Sequence, residues 1–266
     1  MIFSRIILIF SSYFSLSLKK FVVYRINIFN HIVTLIIPIA INIFLWDSII
    51  SNNRIDYNLS QMIMYLVYAN LIFTFTCINA DNELEDNIKS LSLGQKLLKP
   101  VNFIIDIMLK NFLDGLCKLF VVLIPLASIT IFFFEISFNI GNIPLFFLTL
   151  FIAFLLNSCM ALIIGFFSFW LTEIWGVSAI RNILAGLLSG TMFPFSIFSY
   201  DIQRMFLLTP FPYVTYIPAK IASDLSFNLE IIINGLAISV TWLFVLSLFS
   251  LFLYKRGIKR YTANLA

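Results

Sequence analysis

Long apolar runs, each about the length of a membrane-crossing helix, succeed one another along this chain. A helical span takes about 20 residues, because at 1.5 Å per residue it must cover a hydrocarbon core about 30 Å thick. Only 11% of the 266 residues are charged and 61% are hydrophobic, against about 25% charged in a soluble domain. Water could not solvate a surface so poor in charge, so lipid must cover it. The chain reads as an all-α integral membrane protein, one transmembrane unit over residues 1–266 with no separate soluble domain.

Six spans are expected, at about residues 26–46, 59–79, 112–134, 144–170, 177–198 and 231–253. Tyr24 and Arg25 enter the first and Trp46 and Asp47 leave it, as interface anchors do. Pro125 is expected to kink the third. Ahead of the spans, residues 1–20 place Phe3, Ile6, Ile7, Phe10 and Phe14 on one helical face and Ser4, Ser11, Ser12 and Ser15 opposite. With Lys19 and Lys20 following, this is the pattern of an interfacial helix. The run around Ile6–Phe10 is too short for a secretory signal, and no small-residue cleavage site follows it.

Six spans put both termini on one side. Arg54, Arg204 and Lys220 fall on the other, leaving 14 of the 17 Lys and Arg residues with the termini. From that asymmetry the terminal side is expected to be cytosolic, and the chain is expected to be a multi-pass protein of the cell membrane.

The longest polar stretch, Ala80–Asn111, lies between the second and third spans. In it Leu84, Ile88 and Leu91 recur at i, i+4 and i+7, with Glu85, Asp86 and Lys89 off the stripe, so an amphipathic inner helix is expected. Gly94 is placed to stop it, and Lys99-Pro100 punctuates the return. The stretch reads either as a solvated hairpin or, given its apolar stripe, as a docking helix. Asp106 with Lys110 and Asp114 with Lys118 stand i, i+4 and are expected to pair along their own helix.

The region Gly186–Pro218 breaks the pattern. Gly186 and Gly190 stand four apart and would allow close helix–helix approach. Pro194 is expected to end that helix. A short amphipathic piece with Asp201 and Arg204, then Pro210, Pro212 and Pro218, reads as a re-entrant segment on the outer face. Burying Arg181 in mid-bilayer would cost about 3 kcal/mol or more, so it is expected to reach the cytosolic edge or pair with Glu173. Asn70 and Thr74, i and i+4 in the second span, serve either to glue helices together or to line a path.

No G-x-x-x-x-G-K-[ST] loop occurs, so no nucleotide site is expected on this chain. His31 stands alone, and Cys77, Cys117 and Cys159 form neither a disulfide framework nor a metal pattern. No catalytic residue and no metal site is expected.

Several segments, in order, carry a resemblance: Tyr24-Arg25, IKSLSLGQKLLKP at Ile88–Pro100, LLSGTMFPFSIF at Leu187–Phe198, LTPFPYVTYIPAKI at Leu208–Ile221, and the basic tail GIKRYTANLA. With the six-span layout they resemble the permeases of type-2 (ABC-2) exporters of the ATP-binding-cassette class. The departures are a longer spacing before Gly94, Thr209 ahead of Pro210, and Ala266 where the family has glycine. The resemblance implies a separate ATPase subunit that carries ATP and Mg and docks on the cytosolic coupling helix, at Leu84, Ile88, Leu91, Gly94, Lys96 and Leu98. This chain would bind no cofactor and no nucleic acid. A second permease protomer, identical or paralogous, would share the lipid bilayer with it. The path is then expected along the second and fifth spans, at Asn70, Phe73, Thr74, Ser189, Met192 and Phe193, for a hydrophobic or amphipathic cargo. Gly186 and Gly190 would form a packing seam, with Pro194 at an outer gate. The rival readings are an ion-coupled secondary transporter, which would bury ionisable relays and show repeats, a membrane-embedded enzyme, which would need clustered nucleophiles, acids or metal ligands at membrane depth, and a purely structural membrane subunit.

Overall fold

The computed structural model describes residues 2–23, 25–51, 59–98, 102–133, 143–193, 195, 198–223 and 229–263. Among them there is helix and turn but no strand. Among the described residues four stretches are long and apolar enough to cross a membrane: Ile32–Ile49, Met62–Lys89, Ile143–Phe167 and Ile232–Thr262. They lie in α2 (Arg25–Ser51), in α3 (Leu59–Thr76) together with α4 (Ala80–Lys89), in α7 (Ile143–Phe167) and in α11 (Leu229–Ala263). Between α4 and α7 come the short α5 (Leu93–Leu97) and the 31-residue α6 (Phe103–Phe133). Pro125 falls among side chains outside the described set, as do Glu135, Asn139 and Gly141.

The core sits on α7. From Ile152 to Leu162 nearly every side chain is buried, because α3, α4, α10 (Tyr216–Ser223) and α11 surround this helix. An evenly apolar helix offers no polar side to water, and here neighbours cover its middle, while Phe147, Leu148 and Phe151 nearer its start are exposed. On α2, by contrast, Ile37, Ile41 and Phe44 are exposed, as befits a lipid-facing surface.

The N-terminal helix α1 (Ile2–Val23) packs on α6 through its polar side. Tyr13 donates to Asp106 and Ser17 donates to Asp114, while Lys20 Nζ lies 3.2 Å from Asp114. Burial, and then the Asp106 carboxylate itself, push the Tyr13 hydroxyl up to about 12, so it stays protonated and remains a donor. Phe10, Leu16 and Leu18 are left on the outside. The i, i+4 pairs expected along α6 give way to cross-helix partners: Lys110 reaches Glu83 on α4 at 2.6 Å, and Lys118 donates to the Cys77 carbonyl at 3.5 Å. A solvent-exposed pair along one helix contributes only about 0.3–0.5 kcal/mol, so partly buried partners on neighbouring helices outcompete it.

The fifth span departs from expectation. Its helix, α8 (Trp175–Leu188), has 14 residues and is about 21 Å long, short of a full crossing. The stop is Gly190, which follows the C-cap Ser189 and has φ +83°, the left-handed conformation that glycine supplies at a helix end. Pro194 itself lies outside the described residues. Gly186 faces open space within the chain, and Gly190 is no longer helical, so the two cannot form one small-residue seam. Beyond the turn lie α9 (Tyr200–Leu207), a 3-10 turn (Phe211–Tyr213) and α10. The segment Pro212–Ala219 is buried against α3 and α7, deeper than its prolines suggested.

Candidate functional site: the α4 hub

The break between α3 and α4 is a junction of unpaired carbonyls. A helix end leaves its last C=O groups without intrahelical donors. Two are taken up by neighbouring helices: Asn157 Nδ2 donates to the Thr76 carbonyl at 2.6 Å, and Lys118 approaches that of Cys77. Gly115 on α6 permits the close approach, since a Cβ there would sit 2.7 Å from the Phe75 oxygen. Asn157 was legible only as an amide in the middle of an apolar run, which is the signal that could have marked it.

From this junction α4 runs along α7. Leu84 and Ile88 are buried, and Leu84 fills the space left by Gly165, whose missing Cβ would lie 2.6 Å from Leu84 Cδ1. The expected stripe therefore faces the chain's own bundle. It also ends early. Leu91 is 59% exposed and adopts φ +57°, because α4 stops at Lys89, with the Ser90 N–H and hydroxyl both donating to the Asp86 carbonyl. Gly94, expected to end the helix, sits inside α5 with open space around it. A non-glycine residue in left-handed geometry is costly, so Leu91→Gly is expected to leave stability unchanged or raise it by up to about 1 kcal/mol, measurable as the thermal midpoint in detergent.

Of the remaining residues expected to contact a partner, Lys96 lies 3.9 Å from Glu83 and over the Phe103 ring, and Leu98 is 86% exposed. With Leu91 and Leu97 it forms an apolar tip. Glu83 binds Lys110 as well, and so joins α4 and α5 to α6.

The acidic face of α4 meets α8. Asp81 Oδ2 lies 3.2 Å from an Arg181 guanidinium nitrogen, with Asp81 1% and Arg181 6% exposed. One turn on, Glu85 Oε1 accepts from the Ile174 N–H at 3.1 Å, and a carboxylate at a helix N-terminus complements its dipole. Arg181 thus pairs with Asp81 and neither reaches solvent nor takes Glu173, which is exposed. Ser178, Arg181 and Ala185 point inward from α8, and a buried cation there is tolerable only with a buried anion opposite.

The residues expected along a path fall into two groups. Asn70 donates to the Leu66 carbonyl and Thr74 to that of Asn70, both at 2.8 Å, so each turns back on its own helix α3; Phe73 is half-buried. In the turn after α8, Ser189 is buried, Met192 is exposed, and the Phe193 ring meets Trp46 edge-on at 6.1 Å. Tyr65 ties α3 to this turn, donating to the Gly190 carbonyl at 2.7 Å while its ring meets Tyr216. Tyr65 carried no signal in sequence beyond being one more aromatic residue in a span. Among the described residues no group of three or more His, Cys, Asp or Glu could hold a metal ion.

A comparison with curated proteins finds no match. A family model described as ABC-2 family transporter protein matches residues 35–264, which take in α4, its partners on α6, α7 and α8, and the whole of the broken segment. With the match running over most of its length, the chain belongs to the ABC-2 family of membrane transporter proteins.

Proposed function

We propose that the chain is the permease subunit of an ATP-binding-cassette exporter, driven by an ATPase on a separate chain that supplies ATP and Mg. The observation that carries the reading is α4, one short helix tied to α7 by packing, to α6 through Glu83 and to α8 through Asp81 and Glu85. It leads into an apolar tip open to a partner. A push on that tip reaches three helices at once. The ATPase seats on Leu91, Leu97 and Leu98 beside Lys96, while Leu84 and Ile88 transmit the load into α7.

In this reading both termini and the α4–α5 hairpin face the cytosol, and the segment from α9 to α10 is re-entrant on the outer side of the cell membrane. A second permease protomer, identical or paralogous, completes the path. Asn70, Phe73 and Thr74 line it on one side and Ser189, Met192 and Phe193 on the other, and a hydrophobic or amphipathic cargo leaves between them. An ion-coupled carrier is disfavoured because the Asp81 carboxylate is held against Arg181. Transport that collapses with an uncoupler while ATP persists would restore that rival.

The test is Leu91→Asp combined with Lys96→Glu and Leu98→Asp. Recovery of the ATPase with the permease is expected to fall by about tenfold or more, since charge introduced into an apolar contact weakens binding strongly. The amount inserted in the membrane should not change. Undiminished recovery together with unchanged substrate-stimulated hydrolysis would refute the docking site.

A further inference from the structure

We propose that Asp81 and Glu85 are positioning residues for α8, so that α4 sets where this half-length helix stands and moves it during the transport cycle. Deepening the permease reading in its last clause, the proposal otherwise rests on geometry within this chain.

Three observations carry it. Within this chain apolar packing holds α8 weakly: Ile180, Ile183, Leu184 and Leu187 are exposed, and its inward residues are Ser178, Arg181 and Ala185. Its inner end is therefore placed by polar contacts, the Arg181–Asp81 pair and the Ile174 N–H on Glu85. Its other end runs into Gly190, which supplies a left-handed pivot anchored by the Tyr65 hydroxyl.

The third observation is the character of the pair. Every other ion pair among the described residues keeps one partner more than a quarter exposed, whereas Asp81–Arg181 is buried on both sides. Yet both Asp81 oxygens, Arg181 Nε and one terminal nitrogen, and the Ser178 hydroxyl have no hydrogen-bond partner among the described residues. A buried pair with unfilled hydrogen bonds adds little net stability over apolar side chains of like size. What it does supply is direction, because it rewards one placement of α8 against α4 and is weak enough to be exchanged for another.

The experiment uses the full chain with Cys77→Ser, Cys117→Ala and Cys159→Ala, spin-labelled at Asn82→Cys on α4 and Ile183→Cys on α8, both exposed positions. Pulsed electron double resonance reads the separation of the two helices. One narrow distribution is expected for the parent and for Arg181→Lys, which keeps the charge. Asp81→Asn with Arg181→Met should broaden or shift it while the thermal midpoint stays at or above that of the parent. A pair that only held the fold together would leave the spacing of the folded fraction narrow and unshifted when both charges are removed. In complex with its ATPase the same double variant should lose about tenfold of its substrate-stimulated hydrolysis, with basal hydrolysis unchanged. A narrow, unshifted distribution in the double variant overturns the proposal, and so does full substrate stimulation in the complex. If no ATPase associates with the parent chain but the spin-label result holds, the permease reading fails while the positioning role stands.

Discussion

Arg181→Met by itself is expected to lower the stability of the folded chain by about 3–5 kcal/mol, the cost of stranding the Asp81 carboxylate in a buried site. Asp81 is 1% exposed, and the cation 3.2 Å away is its ion-pair partner among the described residues. Thermal unfolding in detergent and the yield of monodisperse protein read the loss. Removing both charges should bring stability back to that of the parent or above it, because the double variant leaves no buried ion without a counterion. A single variant as stable as the parent would mean that Asp81 finds other solvation and that the two side chains are not coupled.

The second large effect is steric. Gly165→Ile should cost about 1–3 kcal/mol or more, since any Cβ at this position meets Leu84 Cδ1 at 2.6 Å, Leu84 Cβ at 2.9 Å and the Asp81 backbone at 3.1 Å. The tip of a leucine can turn aside, but a Cβ and a backbone atom cannot, so α4 must move off α7. That displacement separates Asp81 from Arg181 as well, and the penalty compounds. Gly186→Ala is the control. Gly186 stands in open space near the end of α8, and alanine there should leave the isolated chain unchanged or stabilise it by up to about 1 kcal/mol through helix propensity. Equal losses at the two sites would show that glycine flexibility, and not room for α4, is what Gly165 provides.

Three glycines illustrate how far the sequence could be read. Gly186 and Gly190 have the spacing of a packing motif, whereas Gly165 lies in a run with no motif at all, yet Gly165 and Gly190 are the ones in tight contact. Spacing reports which residues share a helix face only while the helix continues, and α8 ends before Gly190. The helix α4 was legible in its first apolar residues, Leu84 and Ile88. Its end was not, because Leu91 continues the periodicity while adopting a backbone conformation that periodicity cannot reveal.

The direction of the apolar stripes was closed to sequence for a different reason. In a soluble protein an apolar face points inward, since water excludes it. In a bilayer lipid accepts the same face as readily as a neighbouring helix does, so Leu84 could have faced a partner, lipid or α7. Polar side chains are the better guide, and their partners were the part most often misplaced. Asp106, Lys110, Asp114 and Lys118 had ready partners one turn away, and Arg181 had Glu173 nearby, yet four of the five are engaged by another helix and Lys118 by the break between α3 and α4.

Composition, the succession of apolar runs and the order of a few short segments were enough to determine an all-helical membrane chain of the ABC-2 family. These properties are local or additive: each helix satisfies its own backbone in lipid, whatever stands beside it. Which helix stands beside which was decided only in three dimensions. Asp81 and Arg181 lie 100 residues apart in the chain, and Asn157 lies 81 residues from the carbonyl it binds. The pairings that make α4 a hub arise from that adjacency, because a buried charge or amide takes the partner the packing brings to it.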